Sequence, residues 1–142
     1  MRYLLLVSHG TFAPGLHSVL DMLVGKRDDI LSTSMEDGMG ADVYCENVAK
    51  TIAPITPEDT VFCFGDIIGG SPLTNALNVL TEHGLLANTV AFGGMNLPMV
   101  LTAAMESDAD DATLRAEIIS EGQAAIREVE LALDDDDEDE DL

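Results

Sequence analysis

Two short segments of this 142-residue chain hold residue types that can do chemistry together: Ser8-His9-Gly10 near the start and Asp66-Ile67-Ile68-Gly69-Gly70-Ser71-Pro72 near the middle. An imidazole accepts a phosphoryl group on one ring nitrogen while the other donates to a carboxylate that fixes tautomer and orientation. His9 is the candidate acceptor and Asp66 the candidate orienting carboxylate. A Gly-Gly-Ser turn entering a helix points backbone N–H groups at an anion. Gly69, Gly70 and Ser71 are therefore the candidate phosphate-binding residues. Taken singly, each residue has a plainer role. His9 ends a strand, Asp66 bonds its own turn, the glycines permit tight turning, and Ser71 caps a helix. The joint pattern favours phosphoryl transfer through histidine.

The elements that must position these residues are legible in the periodicity. Residues 3–7 are a continuous apolar run of buried-strand length. Leu16, Val19, Leu20, Leu23 and Val24 then recur at helical spacing, with Gly25 as the stop. Residues 30–34 read as a second, weaker strand, and residues 42–52 as a helix with Val43, Val48 and Ile52 in its stripe. A third strand spans residues 61–64. The next helix has Ser71 as its expected N-cap, Pro72 at its first position, and His83-Gly84 at its close. Residues 89–92 form the fourth strand, Pro98 opens a helix that runs through Met105, and helix resumes from Thr113. Residues 126–133 fit either a helix end or an alternating edge strand. Four βα units in series predict a doubly wound α/β fold with a mostly parallel four-stranded sheet and helices on both faces. His9 and Asp66 meet only if the first and third strands are parallel neighbours, at whose carboxyl ends open α/β sheets build their sites.

Composition narrows the classes. Residues 1–133 suffice for one domain, and residues 134–142 read as a disordered acidic tail. The chain carries 27 Asp and Glu against 6 Lys and Arg; eight of the carboxylates lie in the tail, and 19 remain elsewhere. No basic footprint exists to neutralise phosphates, so nucleic acid and anionic membrane are excluded as partners. Self-repulsion at this charge density destabilises a compact state in dilute buffer and points to a salt-rich cytoplasm. The melting midpoint followed across a salt series should accordingly rise steeply; a flat series would remove that reading. Cys45 and Cys63 are expected to be reduced, and no apolar run is long enough for a signal peptide or a membrane span, which implies a cytoplasmic protein. His17, beside apolar positions of the first helix, and His83, at a helix end, read as structural. No His or Cys pair has zinc spacing, so neither metal nor cofactor is expected. No P-loop, dinucleotide fingerprint or nucleophile elbow occurs.

Residues 4–10, Asp66-Ile67-Ile68-Gly69-Gly70-Ser71-Pro72 and Gly93-Gly94-Met95-Asn96-Leu97-Pro98-Met99 together resemble the IIA component of the mannose-type branch of the bacterial sugar phosphotransferase system (PTS). The resemblance covers about residues 1–133. It implies that His9 takes a phosphoryl group from the phosphocarrier HPr and passes it to a IIB component that phosphorylates the incoming sugar. It also implies that Asp66 orients His9 and that turn atoms of Gly70 and Ser71 hold phosphate. The family fold is a homodimer with an antiparallel C-terminal edge strand exchanged between subunits, which here would fall on residues 126–133. No IIB domain is fused, so the expected acceptor is a separate chain, and the acidic tail and surface depart from the pattern. Three other readings compete. One is the phosphocarrier subunit that feeds dihydroxyacetone kinase, whose turn is usually Met-Gly-Ser-like. Another is a tetrapyrrole metal chelatase, whose first strand also reads Leu-Leu-Leu-Val-x-His-Gly. The third is a regulator that binds partners according to its phosphorylation.

Overall fold

Six successive side chains, Tyr3 to Ser8, are buried in the first strand, β1 (Arg2–His9), which requires cover on both faces. The structure is a computed structural model that describes residues 1–132; the expected acidic tail lies outside the described residues. After β1 come α1 (Phe12–Val24), β2 (Ile30–Met35), α2 (Ala41–Thr51), β3 (Thr60–Gly65), α3 (Ser71–Glu82), β4 (Thr89–Phe92), α4 (Leu97–Met105) and α5 (Asp111–Ala124). The sheet order is β2-β1-β3-β4, with every pairing parallel. This is the α/β architecture expected from the βα alternation.

Strand alternation divides the core into two layers. Leu4 and Leu6 face α1, α4 and α5 with Phe62, Phe64 and Phe92, whereas Leu5, Val7, Val61 and Cys63 face α2 and α3. The same alternation sets buried Ser8 on the α1 side and His9 on the α3 side. The chain leaves β1 for β2 on one flank and later builds β3 and β4 on the other. The strand order therefore reverses between β1 and β3, the place where such sheets open a crevice. Both strands end at it.

The first helix starts at Phe12, ahead of the apolar stripe that begins at Leu16, because buried Ser8 Oγ accepts the Ala13 amide at 2.7 Å and satisfies a first-turn donor from outside the helix. In α2 the buried row is Tyr44, Val48 and Ile52, not the one through Val43, which is exposed. The N-cap of α3 is Gly70 rather than Ser71: Ser71 is already helical, and its Oγ accepts from Asn75 Nδ2 at 2.9 Å. Residues 126–132 carry neither helix nor strand, and Ile126, Val129 and Leu131 are 76, 74 and 89% exposed. At the amino end of the sheet, Arg2 binds Asp111 and the Ala109 carbonyl, and Arg27 binds Asp29 and the Ala104 carbonyl. These guanidinium clamps sit at the opposite end from His9.

Candidate functional site

The last ladder pair of β1 and β3 is Val7 with Gly65, and one residue further on a side chain takes over from the backbone. Asp66 Oδ2 accepts the His9 backbone N–H at 3.0 Å and the His9 ring at Nδ1 at 2.9 Å, while Oδ1 accepts the Ile67 N–H at 2.9 Å. Asp66 is 14% exposed and the His9 ring 47%. Partial burial works to raise the Asp66 pKa, but the His9 amide, the His9 ring and the Ile67 amide outweigh it, so the carboxyl lies below its ordinary 3.8. An ionised carboxylate only accepts hydrogen bonds, so Nδ1 must be the donor. The neutral ring then carries its lone pair on Nε2. That is the protonation pattern a phosphoacceptor needs.

On the other side of the ring lies the start of α3. Gly65 has no side chain to hold α3 off: a Cβ there would stand 2.8 Å from Leu73 Cβ. The helix therefore descends onto the ends of the strands. The Gly70 amide closes a turn onto the Ile67 carbonyl at 3.1 Å, and Gly69, with φ +78°, takes the left-handed conformation that this turn requires. A Cβ on Gly70 would come within 3.2 Å of His9 Cε1. Gly70 is thus needed for space, not for its backbone angles. Beyond it, the Ser71 and Leu73 amides belong to the first turn and have no intrahelical acceptor, and Pro72 has no N–H. Among the described residues no Lys or Arg side chain bonds to His9 or Asp66. The groups placed to supply positive potential at the ring are the N-terminus of α3 and the backbone amides beside it.

The structure brings His9, Asp66 and Gly70 into direct apposition and sets Gly69 and Ser71 on the same turn. His17 and His83 are elsewhere: His17 Nδ1 pairs with Ser32 Oγ at 2.7 Å, and His83 Nδ1 donates to the Val79 carbonyl at 2.9 Å. Two supporting residues escaped the sequence reading. Ser8 ties β1 to α1 directly beside His9. Tyr44, fully buried, donates to the Pro72 carbonyl at 2.7 Å and anchors the first turn of α3 from α2. The i, i+4, i+8 row of Tyr44, Val48 and Ile52 was the available signal for Tyr44.

Comparison with known proteins bears on the chain and its fold as a whole. The family model EIIA-man, described as PTS system fructose IIA component, matches residues 3–120. Among solved structures, the chain is similar to the mannose/sorbose-specific IIA subunit of the phosphotransferase system from Enterococcus faecalis. The two share 24% identity and a TM-score of 0.77, over 92% of this chain and 96% of that one. The PTS IIA protein associated with the fucose utilization operon of Streptococcus pneumoniae shares 23% identity and a TM-score of 0.76, over 89% and 92%. Phosphotransferase system component EIIA from Streptococcus agalactiae shares 18% and 0.76, over 90% and 97%.

Proposed function

The chain belongs to the EIIA-man family, PTS system fructose IIA component, and from that premise we propose that it is a phosphocarrier acting through His9 between HPr and a IIB component in sugar uptake. The observation that supports this most directly is the Nδ1 bond to Asp66, which leaves Nε2 as the free nucleophile at a helix N-terminus. In the reaction the Nε2 lone pair attacks the phosphorus of the donor phosphohistidine. The donor's P–N bond breaks, and its electron pair returns to the donor imidazole. Asp66 balances the charge that develops on the His9 ring, and the turn through Gly69 and Gly70 sets the free first-turn amides of α3, such as that of Ser71, to donate to the phosphoryl oxygens. A second in-line displacement, by a nucleophile of IIB, reverses these roles.

Around His9 the surface suits a protein partner more than a small substrate. Phe12, at the start of α1, and Ile67 and Ile68, between β3 and α3, are exposed apolar side chains on the segments that follow His9 and Asp66. No helix among the described residues is long and apolar enough to cross a membrane, and a cytoplasmic location accords with the partners proposed.

The test is labelling with radioactive phospho-HPr followed by a chase with IIB or with dihydroxyacetone kinase. Stoichiometric label that IIB discharges supports the proposal, whereas discharge only to the kinase assigns the chain to that pathway. Label on Ser71, or metal insertion into a porphyrin by unlabelled protein, overturns it.

We also propose a homodimer. β4 is a sheet edge with one side unpaired, and residues 126–132 leave α5 with their apolar side chains in solvent. A second copy of the chain is the occupant that would cover both. Native mass spectrometry should find the full chain dimeric. Ending the chain before Ile126 should yield monomers, and ending it after Leu133 should leave the dimer intact. A dimer that survives the longer truncation removes the exchanged-strand arrangement.

A further inference from the structure

Gly93 follows β4, and its backbone does not adopt the positive φ that favours glycine; its lack of a side chain answers a different need. A Cβ on Gly93 would clash with Ile68 Cγ1 and stand 2.9 Å from Ile68 Cδ1 and 3.1 Å from Ile68 Cβ. Ile68 is mostly in solvent, yet the inner side of its side chain occupies the place that any other residue at position 93 would fill. Two further contacts hold the loops together. The Met95 amide donates to the Gly65 carbonyl at 3.0 Å, one residue before Asp66. Phe92 stacks on Phe64 with ring centroids 4.9 Å apart, so the ends of β3 and β4 are packed against each other and cannot yield freely.

Ile68 lies inside the turn that bonds Gly70 N to Ile67 O. Directly before that turn stands Asp66, which holds His9 Nδ1. The last residue of the turn is Gly70, which abuts His9 Cε1. A displacement of Ile68 that moves its backbone would therefore reach the imidazole from both sides. We propose that Gly93 is a positioning residue for phosphoryl transfer: the bare backbone at position 93 seats Ile68, and that seat sets the Asp66–Ser71 turn against the ring. This inference rests on the phosphocarrier reading for its kinetic consequence but not for its geometry. Gly93 touches no reacting atom.

The test is a double-mutant cycle with two readouts. Gly93→Ala should slow single-turnover phosphorylation by saturating phospho-HPr about tenfold, the scale expected when a catalytic group is misplaced by a fraction of an ångström. It should also move the His9 imidazole nitrogen resonances, while those of His83 stay fixed. Ile68→Ala removes Cγ1 and Cδ1, the two nearest of the colliding atoms, and leaves only the milder contact with Cβ at 3.1 Å. Whatever its own cost, adding Gly93→Ala to it should change neither the rate nor the His9 resonances appreciably. If Gly93→Ala lowers the melting midpoint but leaves the His9 resonances in place, or if its cost is the same with Ala at position 68, the proposal is wrong. Should phospho-HPr fail to label the wild-type protein, the phosphocarrier reading fails, and the His9 resonances still decide the role of Gly93.

Discussion

Replacing His9 with alanine should abolish labelling by phospho-HPr while leaving the fold intact. The ring is half exposed, and the His9 backbone amide would still donate to Asp66, so Asp66 keeps two of its three hydrogen bonds. The stability cost should stay within about 1 kcal/mol, as for other partly exposed side chains outside a core. In the wild-type protein the label should be acid-labile and base-stable, as a phosphoramidate is and a serine ester is not. His17→Ala and His83→Ala should label normally, because Ser32 and the Val79 carbonyl hold those rings away from the crevice. Persisting label in His9→Ala would transfer the acceptor role to another residue and dismantle the mechanism.

Asp66→Asn should slow transfer by about ten- to a thousandfold, the usual scale for losing one preorganised electrostatic partner. The amide nearly preserves shape but cannot satisfy all three donors. With its oxygen facing His9, its NH2 group confronts the Ile67 N–H across the 2.9 Å now spanned by Oδ1. Turned the other way, it confronts both the His9 amide and Nδ1. Either orientation sets donor against donor, and the negative charge that steadies an imidazolium is gone. The pH dependence has a definite sign. Because the Asp66 pKa is depressed below 3.8 in the folded protein, its contribution to stability is complete above that value and is lost as the pH falls through the folded pKa. The difference in unfolding free energy between wild type and Asp66→Asn, measured by denaturant titration, should be constant around neutrality and shrink below pH 3.8. A transfer rate in Asp66→Asn equal to wild type would show that the ring needs no carboxylate.

How far the sequence reveals the protein depends on whether the deciding interactions are local or distant along the chain. The order of strands and helices was legible because burial on both faces writes continuous apolar runs, and one-sided burial writes a 3.6-residue period. His9, Asp66 and the Gly69-Gly70-Ser71 turn stood out because strand ends followed by glycine turns carry their own local pattern. Boundaries were less legible. The start of α1 is set by Ser8 Oγ, which is outside the helix, and the buried row of α2 includes a tyrosine whose hydroxyl is satisfied only by the Pro72 carbonyl on another helix. The Gly93-Gly94-Met95-Asn96 segment was conspicuous in the sequence, but Gly93 acquires its role from a side chain 25 positions earlier.

The local ingredients were therefore given by the sequence alone: one imidazole at the end of the first strand, one carboxylate at the end of the third, a glycine turn entering a helix behind it, and few cationic side chains. Tertiary structure decided the rest. It made β1 and β3 neighbours, so that two residues 57 positions apart share a proton at 2.9 Å. It chose the ring nitrogen left free, and it made Gly70 rather than Ser71 the cap facing the ring. The physical reason is range. Hydrophobic period, glycine conformation and side-chain type act within a few residues of chain, whereas a tautomer or a steric seat is fixed by atoms that only the closed sheet brings within 3 to 4 Å.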